Sequence, residues 1–246
     1  MTEWSQLSDA YGSAEGVPAL LDRFEADPPG VWSELMDRLC PQLDTAFSAS
    51  FAALPRLVEI AAGREPAERH WVLFAAGPIV ASARRSVDGT TVREVYSSQL
   101  ADLARLTDQC LRLPWDTEDY LSLLQTALAF EDVEVWDEHL DSLWQGEYEI
   151  ECPHCAVSLF VVISEDECFS CSDDYALREV EKTRLRPADP VGLRGLAERL
   201  HGRALADGRP MVARRLLYLF GEAACTDCGT VLSVADRVVA NAMPDR

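Results

Sequence analysis

Lysine is nearly missing from these 246 residues: Lys182 stands alone against 22 − 1 = 21 arginines. Between Leu113 and Leu177 there is no lysine or arginine at all, yet the same span holds 17 Asp and Glu. The remainder carries 42 − 17 = 25 acids against 22 bases, so the net charge of −20 comes mostly from that one span. A one-sided field of this kind repels nucleic-acid backbones and anionic membranes and attracts basic proteins. It also serves solubility. The expected partner is therefore a basic protein, with neither nucleic acid nor membrane.

Long hydrophobic runs are missing too. The longest, Trp71 to Ala81, is interrupted by Gly77 and Pro78, is too short for a bilayer and reads as a buried helix. No charged-then-apolar leader opens the chain, so the expectation is no export and a cytoplasmic protein. The usual catalytic signatures do not occur. There is no HExxH, no nucleophile elbow around Ser82 or Ser86, and no glycine-rich phosphate loop, since Asp88-Gly89-Thr90 reads as a turn. Glu198 and His201 supply one ExxH spacing, whereas a di-iron bundle needs two such motifs and two further glutamates. His70 and His139 have no identifiable nucleophile beside them.

What is present fits a globular protein: 48% hydrophobic residues, six tryptophans, and enough length to bury a core. Residues 1–146 read as a succession of helices. Trp32, Leu35, Met36 and Leu39 recur at helical spacing after the breaker Pro28-Pro29-Gly30. Phe47, Phe51, Leu54 and Val58 form a second stripe, with Asp44 as N-cap, Gly63 as stop, and a kink or break at Pro55. Thr91 and Glu94 make a capping-box pattern ahead of Leu103, Leu106 and Cys110. Asp116 or Thr117 caps a helix bearing Tyr120, Leu124 and Leu128. Val133, Trp136, Leu140, Leu143 and Trp144 complete the series, ended by Gly146.

The composition changes at Glu147. Val157 to Ile163 is the best strand signal in the chain. Helix returns after Asp189-Pro190, with Leu193, Leu196, Leu200 and Ala204 on one face, and again from Met211 to Phe220. Val231 to Ala240 reads as a strand or a short closing helix. The expected domains are 1–146 and 147–246, the latter with a helical insertion at about 175–220.

Six of the eight cysteines fall in CxxC pairs, which in a leaderless chain points to metal rather than disulfides. A structural Zn²⁺ takes four ligands in a tetrahedron, and each knuckle supplies two thiolates from one turn. Three pairs compete: Cys152/Cys155, Cys168/Cys171 and Cys225/Cys228. The local solution joins the first two. If residues 157–163 are a strand, however, they carry the chain roughly 20 Å away at about 3.3 Å per residue. No return strand then remains to bring Cys168 back. The distant solution uses Cys152, Cys155, Cys225 and Cys228, and Gly229 suits the turn after the last of them. This set is the expected site for a structural zinc. Cys168 and Cys171, among five acidic neighbours, read as ordinary semi-buried thiols, and Cys40 and Cys110 as core residues. His154, between the first two ligands, reads as solvent-exposed.

The order of helical segment, Cys152-Pro-His-Cys155, strand, helical insertion and Cys225-x-x-Cys-Gly229 resembles uncharacterised actinobacterial HEAT-like proteins with a split zinc ribbon. Phe51 to Ala62 resembles the second helix of such a repeat, and Ala10 to Leu21 their first helix. Ala156 stands where a first knuckle usually has glycine. The resemblance implies a mainly α fold of stacked antiparallel helix pairs with a small β zinc ribbon, and it brings no established activity. Some similar-looking proteins are suspected of guarding against toxins.

The functional expectation is a non-catalytic scaffold. Glu134, Asp137, Glu138 and Asp141, at i, i+3, i+4 and i+7, would line one exposed helix face and dock a basic partner, such as a toxin domain in an immunity-type complex. Two other readings compete with it. One is an enzyme with its pocket near Glu198 and His201 and a purely structural zinc. The other is a nucleic-acid module using arginines such as Arg194, Arg199 and Arg214, which the overall charge disfavours.

Overall fold

Proline opens several of the helices, and each time it does so where a helix has no use for the missing N–H. The computed structural model describes residues 2–85 and 89–243. They divide into two compact units, Met1–Leu140 and Asp141–Arg246. Ser86 and Asp88, named above, lie outside the described residues; Gly89 and Thr90 begin a helix instead of finishing a turn.

The first unit starts with a two-residue hairpin, β1 (Ser8–Asp9) and β2 (Gly12–Ser13), followed by α1 (Val17–Ala26) and α2 (Pro28–Leu39). The sequence Pro28-Pro29-Gly30 starts α2 rather than preceding it, because the Asp27 carboxylate accepts the Gly30 N–H and caps the helix there. Helix α3 (Ser48–Ala62) runs through Pro55 without a break, and its first turn is closed by the Phe47 N–H donating to the Ser50 hydroxyl at 2.9 Å. Asp44 is not its cap. Helix α4 (His70–Ala81) follows, then α5 (Gly89–Val95) and α6 (Ser97–Leu111), which are separate helices on either side of Tyr96. Asp116 caps α7 (Thr117–Glu131) through the Asp119 N–H, as expected, and α8 (Trp136–His139) is a single turn.

Helix α4 is apolar nearly all round, and the fold uses every side of it: Val72, Leu73, Ala76, Ile79 and Val80 are fully buried. It packs on α2, α3, α6 and most extensively on α7. Gly77 sets that last approach, since a Cβ there would stand 3.0 Å from the Thr126 hydroxyl of α7. Its position against helices both before and after it makes α4 a hub. His70, at its start, packs among the rings of Trp71, Phe74 and Trp115 at 5.0–5.7 Å.

The second unit begins with α9 (Ser142–Gln145), which packs on β3 (Glu147–Glu151), so the boundary falls six residues before the change in composition. Strands β3, β4 (Ser158–Ile163), β5 (Cys168–Cys171) and β6 (Thr183–Arg184) form an antiparallel sheet in chain order. A return strand therefore does exist, contrary to the reading above. Ser164 closes the turn by accepting the Glu167 N–H and donating to its carbonyl, and Cys168 then pairs with Ile163. The insertion contributes α10 (Gly195–Ala206) and α11 (Pro210–Leu219). A second hairpin, β7 (Glu222–Ala224) and β8 (Val231–Ser233), leads into α12 (Val234–Ala242), so the last segment is strand and helix in succession. Gly221 permits the turn from α11 into β7: a Cβ there would lie 2.2 Å from the Arg186 carbonyl.

Candidate metal centre

Each knuckle caps a hairpin in the same way. In the first, Glu151 pairs with Ser158, the Cys152 N–H donates to the Val157 carbonyl at 2.9 Å, and the Ala156 N–H returns to the Cys152 carbonyl at 3.0 Å. In the second, Ala224 pairs with Val231, the Cys225 N–H donates to Thr230 at 2.9 Å, and the Gly229 N–H returns to Cys225 at 2.9 Å. The fifth residue of each turn is left-handed: φ is +60° at Ala156 and +72° at Gly229. The alanine therefore adopts the glycine geometry at a backbone cost of about 1 kcal/mol.

The two turns bring four sulfurs together, all within 4.8 Å of one another. Cys152 Sγ is 3.7 Å from Cys228 Sγ, and Cys155 Sγ is 3.7 Å from Cys225 Sγ. These distances exclude disulfides, and all eight cysteines are free. Four sulfurs about 2.3 Å from a central ion in a tetrahedron would lie about 3.8 Å apart, so the arrangement fits a thiophilic ion. The first cysteine of each knuckle is buried and the second exposed, so the cluster has one covered side and one open to water.

The thiols of Cys155, Cys225 and Cys228 are shifted from the ordinary value. Burial raises the Cys225 thiol. At Cys155 the Val157 amide favours the thiolate, but burial and the neighbouring thiols override it and push the group up to about 12. Cys228 goes the other way, to about 6, because the Thr230 hydroxyl, 3.2 Å from the sulfur, and the Thr230 amide stabilise its thiolate. A thiophilic ion at the centre would favour the thiolate form of its ligands.

Cys168 and Cys171 are not in the cluster. They lie on β5, where the Cys168 thiol reaches the Ser164 carbonyl and the Cys171 thiol the Asp173 carbonyl. Burial raises both. The distant set of ligands thus comes together although a return strand exists, because β5 runs back only as far as Phe160, opposite Cys171. Cys40 and Cys110 are buried in the first unit, the latter pushed up to about 11 by burial. His154 is exposed.

The carboxylate face expected on one helix does not exist in that form. Val135 has φ of +73° and interrupts the helical path, leaving α8 only four residues long. Asp137 is buried and accepts from Arg84 at 2.6 Å, and Glu138 is half-buried against Arg85 at 2.7 Å. Glu134 and Asp141 are half-buried as well, and Asp141 belongs to the second unit. Spacing on an assumed helix missed the arginines, which come from 53 residues earlier in the chain.

Several residues around the knuckles carried no sequence signal. The Ser172 hydroxyl donates to Asp227 at 2.9 Å and receives the Thr226 hydroxyl at 2.9 Å, which ties the second knuckle to the end of β5. The Ser170 hydroxyl donates to the Ala224 carbonyl at 2.8 Å, and Arg237 of α12 donates to the Glu151 carbonyl at 2.9 Å. Only the turn chemistry of Thr230, two residues after a cysteine, was open to inspection in the sequence.

No known protein family, curated protein or solved structure matches this chain. Among the described residues no helix is long and apolar enough to cross a membrane.

Proposed function

We propose that this protein is a non-catalytic binding scaffold whose second unit is held together by one structural zinc ion. Cys152, Cys155, Cys225 and Cys228 are the ligands. The observation that carries the reading is the 3.7 Å spacing between sulfurs of different knuckles, 70 or more residues apart in the chain. Four thiolates fill the coordination shell and leave no position for water or substrate, so the ion's role is mechanical. The helices of the first unit, read as HEAT-like pairs, present the surface. Native mass spectrometry should find one zinc per chain, and cobalt exchange should give the intense thiolate charge-transfer bands of a four-sulfur site. A d–d spectrum of a six-coordinate ion, or no metal at all, would sink the assignment.

The partner is a basic protein, with a cationic toxin domain as one candidate. Asp137 is removed from this role by its buried pairing with Arg84. The support that remains is the charge of residues 113–177 and the exposed carboxylates of Asp116 and Glu118 at the start of α7. A partner recovered at low salt should be lost as salt is raised and lost to the Glu118→Lys variant. Salt-independent capture would refute the electrostatic reading. The enzyme alternative gains no support from its nominated pair, since Glu198 points into solvent on α10 and only His201 is half-buried.

A further inference from the structure

A groove of about 500 Å³ opens in the second unit among the edge strand β6, helix α11 and the turn joining β4 to β5. Its size is that of a small-molecule site. Lys182 and Arg184 line it from the strand side, Arg214 and Tyr218 from α11, and Asp166 and Glu167 from the turn. In a chain of net charge −20 these three cations against two carboxylates form a local reversal of sign.

The cations are not equally committed. Lys182 Nζ is 2.9 Å from Glu167 and 4.0 Å from the centre of the Phe169 ring, so its charge is answered within the groove. Arg214 donates to the Glu165 carbonyl at 3.0 Å and lies 5.7 Å over the Tyr218 ring, which fixes the guanidinium without neutralising it. Arg184 pairs with Phe169 through the backbone alone. Its exposed side chain makes no hydrogen bond or ion pair with any described residue. Two guanidiniums from separate elements thus line one concavity without a carboxylate partner. Planar forks of this kind suit the several oxygens of a phosphate better than a single carboxylate. Asp166 and Glu167 at the turn would repel an anion that filled the whole groove, so the rest of the ligand must bring donors to them.

We propose that this groove binds a small phosphate monoester whose body carries hydroxyl or amino groups. The phosphate sits between Arg184 and Arg214, and the donors face Asp166 and Glu167. The inference is independent of the zinc assignment.

Isothermal titration of the full chain with adenosine monophosphate tests it. Saturable binding is expected. Arg184→Gln and Arg214→Gln should each weaken it about tenfold, and Arg178→Gln should leave it unchanged, because Arg178 pairs with Asp173 and does not line the groove. Asp166→Ala should weaken adenosine monophosphate without weakening inorganic phosphate. The Arg184 side chain is exposed, so its removal should spare the fold, and an unchanged circular dichroism spectrum verifies that. Absence of saturable binding, an equal loss in Arg178→Gln, or succinate binding as tightly as adenosine monophosphate would each overturn the proposal.

Discussion

The two units reach stability by different routes. In the first, apolar helices surround α4, and large side chains such as Phe24 and Tyr120 are completely buried. In the second, the strands are short, β7 and β8 having three residues each, and one face of the main sheet is covered by a small cluster of Val162, Phe169 and Cys171 with Phe160, Tyr175 and Val180. Two-stranded hairpins of that length are marginal in water without further support. The four-sulfur cluster lies where the β7–β8 hairpin and the longer β3–β4 hairpin end, and it adds to the hydrogen bonds from Ser170, Ser172 and Arg237 that also join the two regions. Hydrophobic burial scales with area, whereas a tetrahedral ion needs only four atoms. An ion bound by the four sulfurs would therefore add to the core of the smaller unit without requiring more buried area.

The largest effect expected to separate the units is loss of the proposed zinc ion. Structural zinc sites contribute on the order of 10 kcal/mol to the folding of small domains. Cys225→Ser should therefore release the metal and unfold the second unit, with the helical signal of the first unit largely retained in circular dichroism. Cys168→Ser should leave the metal content unchanged. Equal metal loss from both variants would break the ligand assignment, and joint melting of both units in Cys225→Ser would break the comparison.

Next comes the reciprocal test in the first unit. Asp137→Ala leaves Arg84 partly buried, with only the more exposed Asp132 at 3.0 Å as partner. Removing one member of such a pair should cost about 3 kcal/mol, read as a shift in urea midpoint, with zinc content unaffected. A neutral result would mean that the pairing contributes nothing.

A smaller effect of opposite sign is expected at the first knuckle. Ala156→Gly removes the left-handed strain that Gly229 already avoids in the second. The second unit should gain about 1 kcal/mol, part of it offset by the freer unfolded chain. A loss of stability would show that the alanine methyl makes a contact outweighing its backbone cost.

The smallest effect is at high pH. Tyr175 donates its hydroxyl proton to Glu147, and that bond, with burial, pushes the phenol up to about 12 from an ordinary value of 10.0. Between pH 10 and 12 the native phenol keeps a proton that the unfolded chain gives up, so this group's contribution declines as pH rises. Tyr175→Phe should remove that part of the alkaline slope. An unchanged slope would assign it elsewhere.

Local chemistry was readable in the chain wherever one residue decides one backbone event. Asp116 caps α7, Gly63 ends α3, and the apolar, Val- and Ile-rich run of Val157 to Ile163 gives β4. Single-residue rules failed elsewhere, in the case of the acids because arginines distant in sequence intervened. Pro55 sits inside α3, and the supposed carboxylate face is split by Val135 and neutralised in part by Arg84 and Arg85. The groove beside β6 had no sequence signal, because its cations come from a strand edge and a helix that meet only in the folded unit.

By itself the sequence determined that thiol pairs of knuckle type exist, that the first half is helical, and that positive charge is excluded from one long span. These follow from residue identity and short-range spacing. Which cysteines meet, which acids are answered by arginines and where a cationic groove opens were decided by tertiary structure alone. The physical reason is range: a turn is set by bonds within five residues, whereas a tetrahedron or an ion pair depends on where the whole chain returns.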